Sequence, residues 1–519
     1  MITILYPDAL HIHERGFRSL IEATKNNDIT NLYISEYDNI KALYGNYYDK
    51  KSLFLKYYDS LVHLSQDELY NYNYAGMSLF SFVQAEMLSY LMAQKNWYSK
   101  KLSSESSEIF KKAYKEDKET LLLNLAVALF WFHFWKDVLF TNKTISRCIL
   151  FSGSLIYVKT LSFLLQNTPV AVFVVEHFFT GNDYYLEHKY THIANNSDIK
   201  FNSFYNKLEK EFLSENHQTR MKKRKKSLSK IEFSKNKNVM QPAKSSTKLN
   251  INQSKNTVLI LGQVINDFSI LETCLENINS LDIYKQLITR LISESDYNII
   301  LKAHPWEKSK VNLLRSLTKD ELLQFMYQNF SAEEQKRLLI VEDYNINELF
   351  EISDHIVGLC SQSLIEAALT GKKVHQFGNA FFGNKGFTYN YQNVNSCIEG
   401  LLSQKNSLLS IEEYNNLMSF LTITLEYHLV SVHNEGIKSV SHLLELPCNI
   451  EIKKNLAHFV AKDINTLDKS KNSSYSQRII SFIVHISSKE KKLKKFRSNP
   501  KMFFEDSKNP FIQYLSKYY

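Results

Sequence analysis

The sequence predicts an α/β protein, and three observations carry that expectation. From residue 257 the apolar segments TVLILGQ, YNIILKAHP, RLLIVED, HIVGLC and KKVHQFG alternate with helix-length stretches that include NINELFEIS and SQSLIEAALTG. Regular strand and helix alternation builds an open, mostly parallel sheet. Upstream, residues 146–179 (SRCILFSGSLIYVKTLSFLLQNTPVAVFVVEHFF) read as strand, helix, strand. The first of these strands ends at Ser152 and Gly153, Pro169 stops the linker, and VAVFVVE is a buried strand. The opening MITILYP reads as a short strand leading to a helix.

Length and composition set the bounds. The 519 residues suggest roughly two to four domains. Apolar content is 44%, and Gly and Pro number only 13 and 7, which excludes fibrous and broadly disordered classes. The expected organisation is an α/β domain over 1–215 and a Lys-, Ser- and Asn-rich linker or surface loop over 216–256. A second α/β domain over 257–405, a helical region over 406–474 and a basic, aromatic tail over 475–519 complete it. The five cysteines (Cys148, Cys274, Cys360, Cys397, Cys448) form no CxxC and no Cys/His cluster. With no signal-peptide pattern at MITILYPDALHIHERG, this predicts a reduced cytoplasmic chain without a zinc site. The most apolar run, LLLNLAVALFWFHFW (121–135), is too short to span a bilayer and contains Asn124 and His133, so a buried helix is expected. The net charge of +9 is concentrated in MKKRKKSLSK from 221 and KEKKLKKFRSNPK over 489–501. A charge run is ordinarily a solvated face or a linker. The first block has no interleaved aromatics and no recognition motif, so no nucleic-acid partner is expected.

In open α/β sheets, ligands bind outside the carboxyl ends of the strands. In the second domain those ends carry Gln263, Asn266, Asp267 and Ser269, then Lys302, His304 and Glu307. Ser361, Gln362, Ser363 and Glu366 follow the fourth strand, and Gly378, Asn379, Gly383 and Gly386 the fifth. Each has a structural role open to it. Asp267 fits a helix start, His304 before Pro305 fits a turn, and Ser269 with Glu272, like Ser363 with Glu366, fits a capping box. As a set they predict a nucleotide site with neither a Walker loop nor G-x-G-x-x-G. A helix N-terminus with two serines offers free N–H groups and a favourable dipole to a phosphate. Lys302 and His304 add positive charge, and Glu366 accepts hydrogen bonds from ribose hydroxyls.

The segments GQVINDFSI, KAHPW and SDHIVGLCSQSLIEAALTGKKVHQFGNAFFGNKGFT, with VVEHFFTGNDYYLEHKYTHIANNSDI upstream, resemble in order the bacterial capsule polysaccharide synthesis family. These are retaining β-Kdo glycosyltransferases that use CMP-Kdo. The resemblance covers about 150–395. Ala303 stands where the family often has Pro, and Lys385 where Trp is common. The family implies two Rossmann-like domains facing a cleft, of GT-B type, here with a helical C-terminal extension. It implies that Asp267, delivered by the turn after Gly262, is the nucleophile that forms the Kdo adduct. Glu176, at a strand end in the first domain, then faces it as acid/base, and His304 neutralises the phosphate as CMP leaves. Gln263, Lys302, Ser361, Gln362, Ser363, Glu366 and Gly378 would hold the donor. No cofactor and no metal is implied, since the phosphate has protein donors and the site has no Asp-x-Asp pair.

The expected activity is transfer of β-Kdo from CMP-Kdo, with retention, to a lipid-linked oligosaccharide or glycolipid acceptor of the cell surface. The stretch 489–519 interleaves Lys and Arg with Leu, Phe and Met. It suits an amphipathic anchor on the cytoplasmic face of the inner membrane, each basic residue contributing about 1 kcal/mol. A solvated tail fits the charge run equally well. Two other readings stay open. One is a different CMP-sugar enzyme such as a sialyltransferase, which inverts and needs no nucleophile at Asp267. The other is a non-catalytic polysaccharide-assembly protein with the same fold.

Overall fold

The computed structural model describes residues 2–232, 234, 249, 251–273, 275–403, 407–446, 496, 503, 504 and 507. The chain divides into two compact units, Met1–Leu446 and Pro447–Tyr519. In chain order the strands are β1 (Ile2–Tyr6), β2 (Ile29–Tyr33), a hairpin of β3 (Asn73–Tyr74) and β4 (Met77–Ser78), β5 (Ile145–Phe151), β6 (Ala171–His177) and β7 (Asp183–His188). Then come β8 (Thr257–Leu261), β9 (Asn298–Lys302), β10 (Leu338–Val341), β11 (His355–Gly358), β12 (Val374–Gln376), β13 (Thr388–Asn390) and β14 (Val430–Ser431).

These strands make two six-stranded sheets within the first unit. The second sheet runs β10-β9-β8-β11-β12-β13, every pair parallel. Numbered from β8, that is the doubly wound order 3-2-1-4-5-6, with its switch point between β8 and β11. All five residues of β8 and of β9 are buried, as strands covered by helices on both faces must be. The first sheet runs β14-β7-β6-β5-β1-β2. Its β2, β1, β5 and β6 are parallel, with a switch point between β1 and β5. The chain then reverses, because Gly181 at φ +65° closes a tight turn and β7 runs back antiparallel to β6. The two Rossmann-like halves face one another across a cleft, the GT-B arrangement.

The apolar run at 121–135 lies in a helix longer than expected, Lys118–Thr141. By length and composition that helix could cross a membrane. Most of it is buried, however, against the helices Lys51–Leu61, Leu79–Leu91 and Ile156–Leu165. Its Asn124 is satisfied inside the core, donating to the carbonyls of Gly45 (3.0 Å) and Thr120 (2.9 Å). The helix is therefore a core element, as the sequence predicts.

The basic block at 221 is not a loop. It forms the helix His217–Glu232, whose Lys223, Lys226 and Lys230 pair with Glu215 (2.6 Å), Glu426 (3.0 Å) and Asp183 (2.8 Å). Acidic partners, Glu426 and Asp183 among them far off in sequence, turn a charge run into a packed helix. Most of 233–250 lies outside the described residues. The region after 406 is helical only in part. The helix Ile411–Ile423 leads through a π turn, Thr424–His428, into β14, which pairs antiparallel with β7. The helix Gly436–Leu443 then packs on Glu14–Thr24, so this stretch completes the first half. The remainder to 474 lies outside the described residues, as does nearly all of the tail 475–519. In that unit the rings of Phe496, Phe503 and Phe504 cluster at 5.4–5.6 Å.

Candidate active site

The site is built first from the turn after β8. Gly262 is required there by close approach: a Cβ would lie 2.8 Å from the Lys302 carbonyl oxygen, to which the Gly262 N–H donates at 2.9 Å. Gln263 is fixed by its backbone N–H to the Tyr284 hydroxyl (2.8 Å), and its amide donates to Ser269 Oγ (2.6 Å). Ser269 in turn donates to Asp267 Oδ1 through both its N–H (2.9 Å) and its hydroxyl (2.8 Å). Asp267 is the N-cap of the one-turn helix Phe268–Leu271. With Asp267 in that position, Ser269 lies inside the helix and no Ser269–Glu272 capping box forms.

His304 follows β9 and caps the short helix Pro305–Ser309, its Nδ1 accepting from the Trp306 N–H at 3.2 Å. That contact assigns the remaining proton to Nε2. Burial pushes its pKa down to about 4. Asp267 opposes the fall, and Lys302 and Lys310 add to it. The expected cation is therefore a neutral N–H donor at neutral pH. Lys302 is also not placed as expected. It is buried, its ammonium donates to the Glu342 carbonyl (2.5 Å) at the end of β10, and burial lowers its pKa to about 8. The cation beside Asp267 is instead Lys310, which donates to the Asn266 carbonyl at 3.0 Å. Burial lowers its pKa, against the attraction of Asp267 and Glu307. Lys310 is the C-cap of the helix Pro305–Ser309, and no residue pattern around it marks it as a site residue.

The loop after β11 brings Ser361, Gln362 and Ser363 to the same edge. Ser361 Oγ accepts from the Ser363 N–H at 3.3 Å, and Gln362 Oε1 accepts from the Phe179 N–H of the first half at 3.1 Å. Ser363 is the first residue of the helix Ser363–Ala368, and Gln362 is its N-cap. The Ser363–Glu366 capping box is therefore not formed, and Glu366 is half-buried one turn in. Gly378 is held at φ +145°, where a Cβ would strike the Leu359 carbonyl carbon at 2.9 Å. Asn195 clamps this loop across the cleft: Nδ2 donates to the carbonyls of Gly378 (3.1 Å) and Asn379 (3.2 Å), and Oδ1 accepts from the Phe381 N–H (2.9 Å). The two departures from the family pattern have local reasons. The Ala303 N–H donates to the Val341 carbonyl at 2.7 Å, a bond that Pro would lack. The Lys385 ammonium lies 4.4 Å from the Tyr205 ring centroid and donates to Asn202 Oδ1 at 2.8 Å.

Glu176 enters from the end of β6. The residue is partly exposed, yet its carboxyl is enclosed enough that burial is the largest influence and raises its pKa to about 7. The His177 N–H (3.0 Å), Ser152 and His11 oppose that rise, and the charge of Asp267 adds to it. Glu176 and Asp267 thus feel each other across the cleft. A second carboxylate joins the halves directly. Glu272, which ends the turn that Asp267 begins, accepts from Ser154 (2.6 Å), pairs with Lys159 and lies 3.3 Å from His192 Nδ1. Among the described residues no three His, Cys, Asp or Glu side chains group so as to hold a metal ion.

Residues 193–405 match the family model for capsule polysaccharide biosynthesis proteins. No curated protein matches the chain. Similar solved structures include the Thermosulfurimonas dismutans KpsC beta Kdo 2,4 transferase, at 14% identity over 58% of this chain and 88% of that one, TM-score 0.38. The beta Kdo 2,7 transferase of the same KpsC aligns at 16% identity over 60% and 88%, TM-score 0.34. The S. aureus MnaA–UDP co-structure aligns at 11% identity over 86% and 97%, TM-score 0.32. The matched segment contains Asp267, His304, Lys310, Ser361, Ser363 and Gly378 of the second half, with Asn195 of the first. Glu176 lies outside it, on the first half.

Proposed function

We propose that the chain is a retaining glycosyltransferase of cell-surface polysaccharide assembly that moves β-Kdo from CMP-Kdo, with Asp267 as nucleophile and Glu176 as acid/base. The observation that carries this reading is the convergence of two carboxylates from opposite halves, one bonded by donors and one with a pKa near 7. Double displacement needs such a pair: one group must attack as a carboxylate, and the other must exchange a proton near neutral pH. Asp267 attacks the anomeric carbon and CMP leaves. An acceptor hydroxyl then displaces Asp267 while Glu176 takes its proton. Lys310 and the His304 Nε2–H supply donors for the phosphate and the sugar carboxylate, and the N–H groups around 361–363 supply more. The acceptor on this reading is a lipid-linked oligosaccharide. The basic stretch 489–519 would hold the enzyme at the anionic cytoplasmic leaflet of the inner membrane.

The test is intact-protein mass spectrometry after incubation with CMP-Kdo, on wild type, Asp267→Ala and Asp267→Cys. The expected result is CMP release with a Kdo-sized increment on wild type or trapped on the Cys variant, and none on the Ala variant. Turnover of CMP-sialic acid instead, with no adduct, would replace the reading by an inverting sialyltransferase. Indifference of the biological function to Asp267→Ala would replace it by a non-catalytic assembly role.

A further inference from the structure

The first half carries a polar chain that the reading above leaves unused. Its sheet has its switch point between β1 and β5, where a doubly wound sheet opens a crevice. Asp8 and His11 follow β1, Ser152 follows β5 and Glu176 lies near the end of β6, three neighbouring strands. Asp8 is wholly buried. Its Oδ2 accepts from the Tyr157 hydroxyl at 2.5 Å, and its Oδ1 accepts from the N–H groups of Leu10 and His11, both at 3.0 Å. Oδ1 also lies 3.2 Å from His11 Nδ1. Burial acts against ionisation, but His11 and these donors outweigh it and hold the Asp8 pKa below its usual value.

A carboxylate at Nδ1 fixes the imidazole tautomer, so Nε2 presents its lone pair. Nε2 lies 3.0 Å from the Tyr44 hydroxyl, which therefore donates to it. The His11 ring is stacked on Phe151, 4.7 Å between centroids and 7° between planes, which fixes its orientation. Tyr44 is held at φ +47°, a left-handed conformation that an aromatic residue adopts only under constraint. One constraint is Asn312, two residues after Lys310, which donates across the cleft to the Tyr44 carbonyl at 2.9 Å. The Tyr44 hydroxyl lies within the influence of the charges of Glu86, Asp8 and Glu176. A buried Asp–His pair can serve only to brace its loop. The Tyr44 hydroxyl, which bonds His11 Nε2 and feels the charge of Glu176, is not needed for that.

We propose that Tyr44, His11 and Asp8 form a proton-accepting chain that returns Glu176 to its carboxylate after Glu176 has deprotonated the acceptor. The inference rests on the double-displacement reading. The acceptor oxygen bonds to the anomeric carbon, the ester bond to Asp267 breaks with its electrons on Asp267, and the acceptor proton goes to Glu176. Glu176 then gives that proton to the Tyr44 oxygen as Tyr44 gives its own to His11 Nε2. The products are a Glu176 carboxylate and an imidazolium against the Asp8 carboxylate. The imidazolium releases its proton to water at the 15% of its side chain that is exposed. All three are positioning residues that act through Glu176.

The two displacements can be read separately, with water as the probe acceptor. In rapid-quench measurements with CMP-Kdo, the burst of CMP reports attack by Asp267, and the linear phase reports discharge of the adduct to water. Tyr44→Phe and His11→Gln are expected to slow the linear phase by about 10- to 100-fold, part of the range for general acid–base help. Their burst is expected to match wild type, and so is the thermal midpoint of Tyr44→Phe. Equal slowing of both phases, or a linear phase unchanged in both variants, would overturn the proposal. A wild type that shows neither burst nor adduct removes the parent reading, and this one with it.

Discussion

Glu176 and Asp267 are both carboxylates at the carboxyl edge of a sheet, one in each half, and their surroundings differ in kind. Glu176 receives the His177 N–H and a hydrogen bond from Ser152, but its enclosure outweighs them, favours its neutral form and brings its pKa to about 7. Asp267 receives an N–H and a hydroxyl from Ser269, caps a helical turn and has the Lys310 ammonium in range. Those partners are two hydrogen-bond donors and a cation. On the proposed mechanism the halves would give one chemical group two roles through environment, as an acid/base and a nucleophile are told apart.

The comparison breaks most visibly at the nucleophile. Asp267→Ala is expected to lower turnover of CMP-Kdo by on the order of 10⁴-fold or more, in a steady-state assay of CMP release. Glu176→Gln should lower adduct discharge by about 10²- to 10⁴-fold and abolish the rise of discharge with pH expected of wild type through about 7. The same substitution sharpens the contrast through stability. The folded-state pKa of Glu176 is raised from 4.5 to about 7, so ionisation penalises the folded protein increasingly from pH 4.5 to 7 and fully above. Glu176→Gln is therefore expected to stabilise the protein by about 2 kcal/mol at pH 8 and by much less at pH 5, as read from urea midpoints. If the gain were the same at both pH values, Glu176 would not be the enclosed acid described here.

Smaller effects probe how the halves are held together. Lys159→Met leaves the buried Glu272 without its ammonium, and the expected loss is about 3 kcal/mol of unfolding free energy. Turnover should fall as well, because Glu272 closes the turn that presents Asp267. Asn195→Ala removes three hydrogen bonds to the loop at 378–381. It is expected to cost about 1–2 kcal/mol, and to raise KM for CMP-Kdo more than it lowers kcat. An unchanged KM would mean that this loop does not contact the donor.

The second sheet was largely legible because its strands are buried runs separated by helices, and all five expected strands are present. The sixth, β13, has only three residues and leaves no periodic trace. In the first half β2 and β7 went unread. The first has an irregular burial pattern, and the second is polar at both ends. Among the site residues, the sequence located strand ends but not side-chain directions. Lys302 stands at the right edge, yet its ammonium turns toward the Glu342 carbonyl. Lys310 and Asn195, which do meet the cleft, lie in loops whose course is set by distant contacts. The capping boxes failed for one reason: an earlier residue, Asp267 two before Ser269 and Gln362 one before Ser363, became the cap and drew the serine into the first turn.

The return of β14 to the first sheet has a consequence for the nascent chain. Until Val430 and Ser431 leave the ribosome, the outer edge of β7 has no strand beside it, and about 240 residues separate the two. At cellular rates of synthesis that is roughly 12–50 s during which the second sheet can form and the first cannot close. An open strand edge is a template for pairing with other chains. A polypeptide halted anywhere between the two strands would carry that edge permanently, so the order of manufacture makes this protein more exposed to interrupted translation than either half alone.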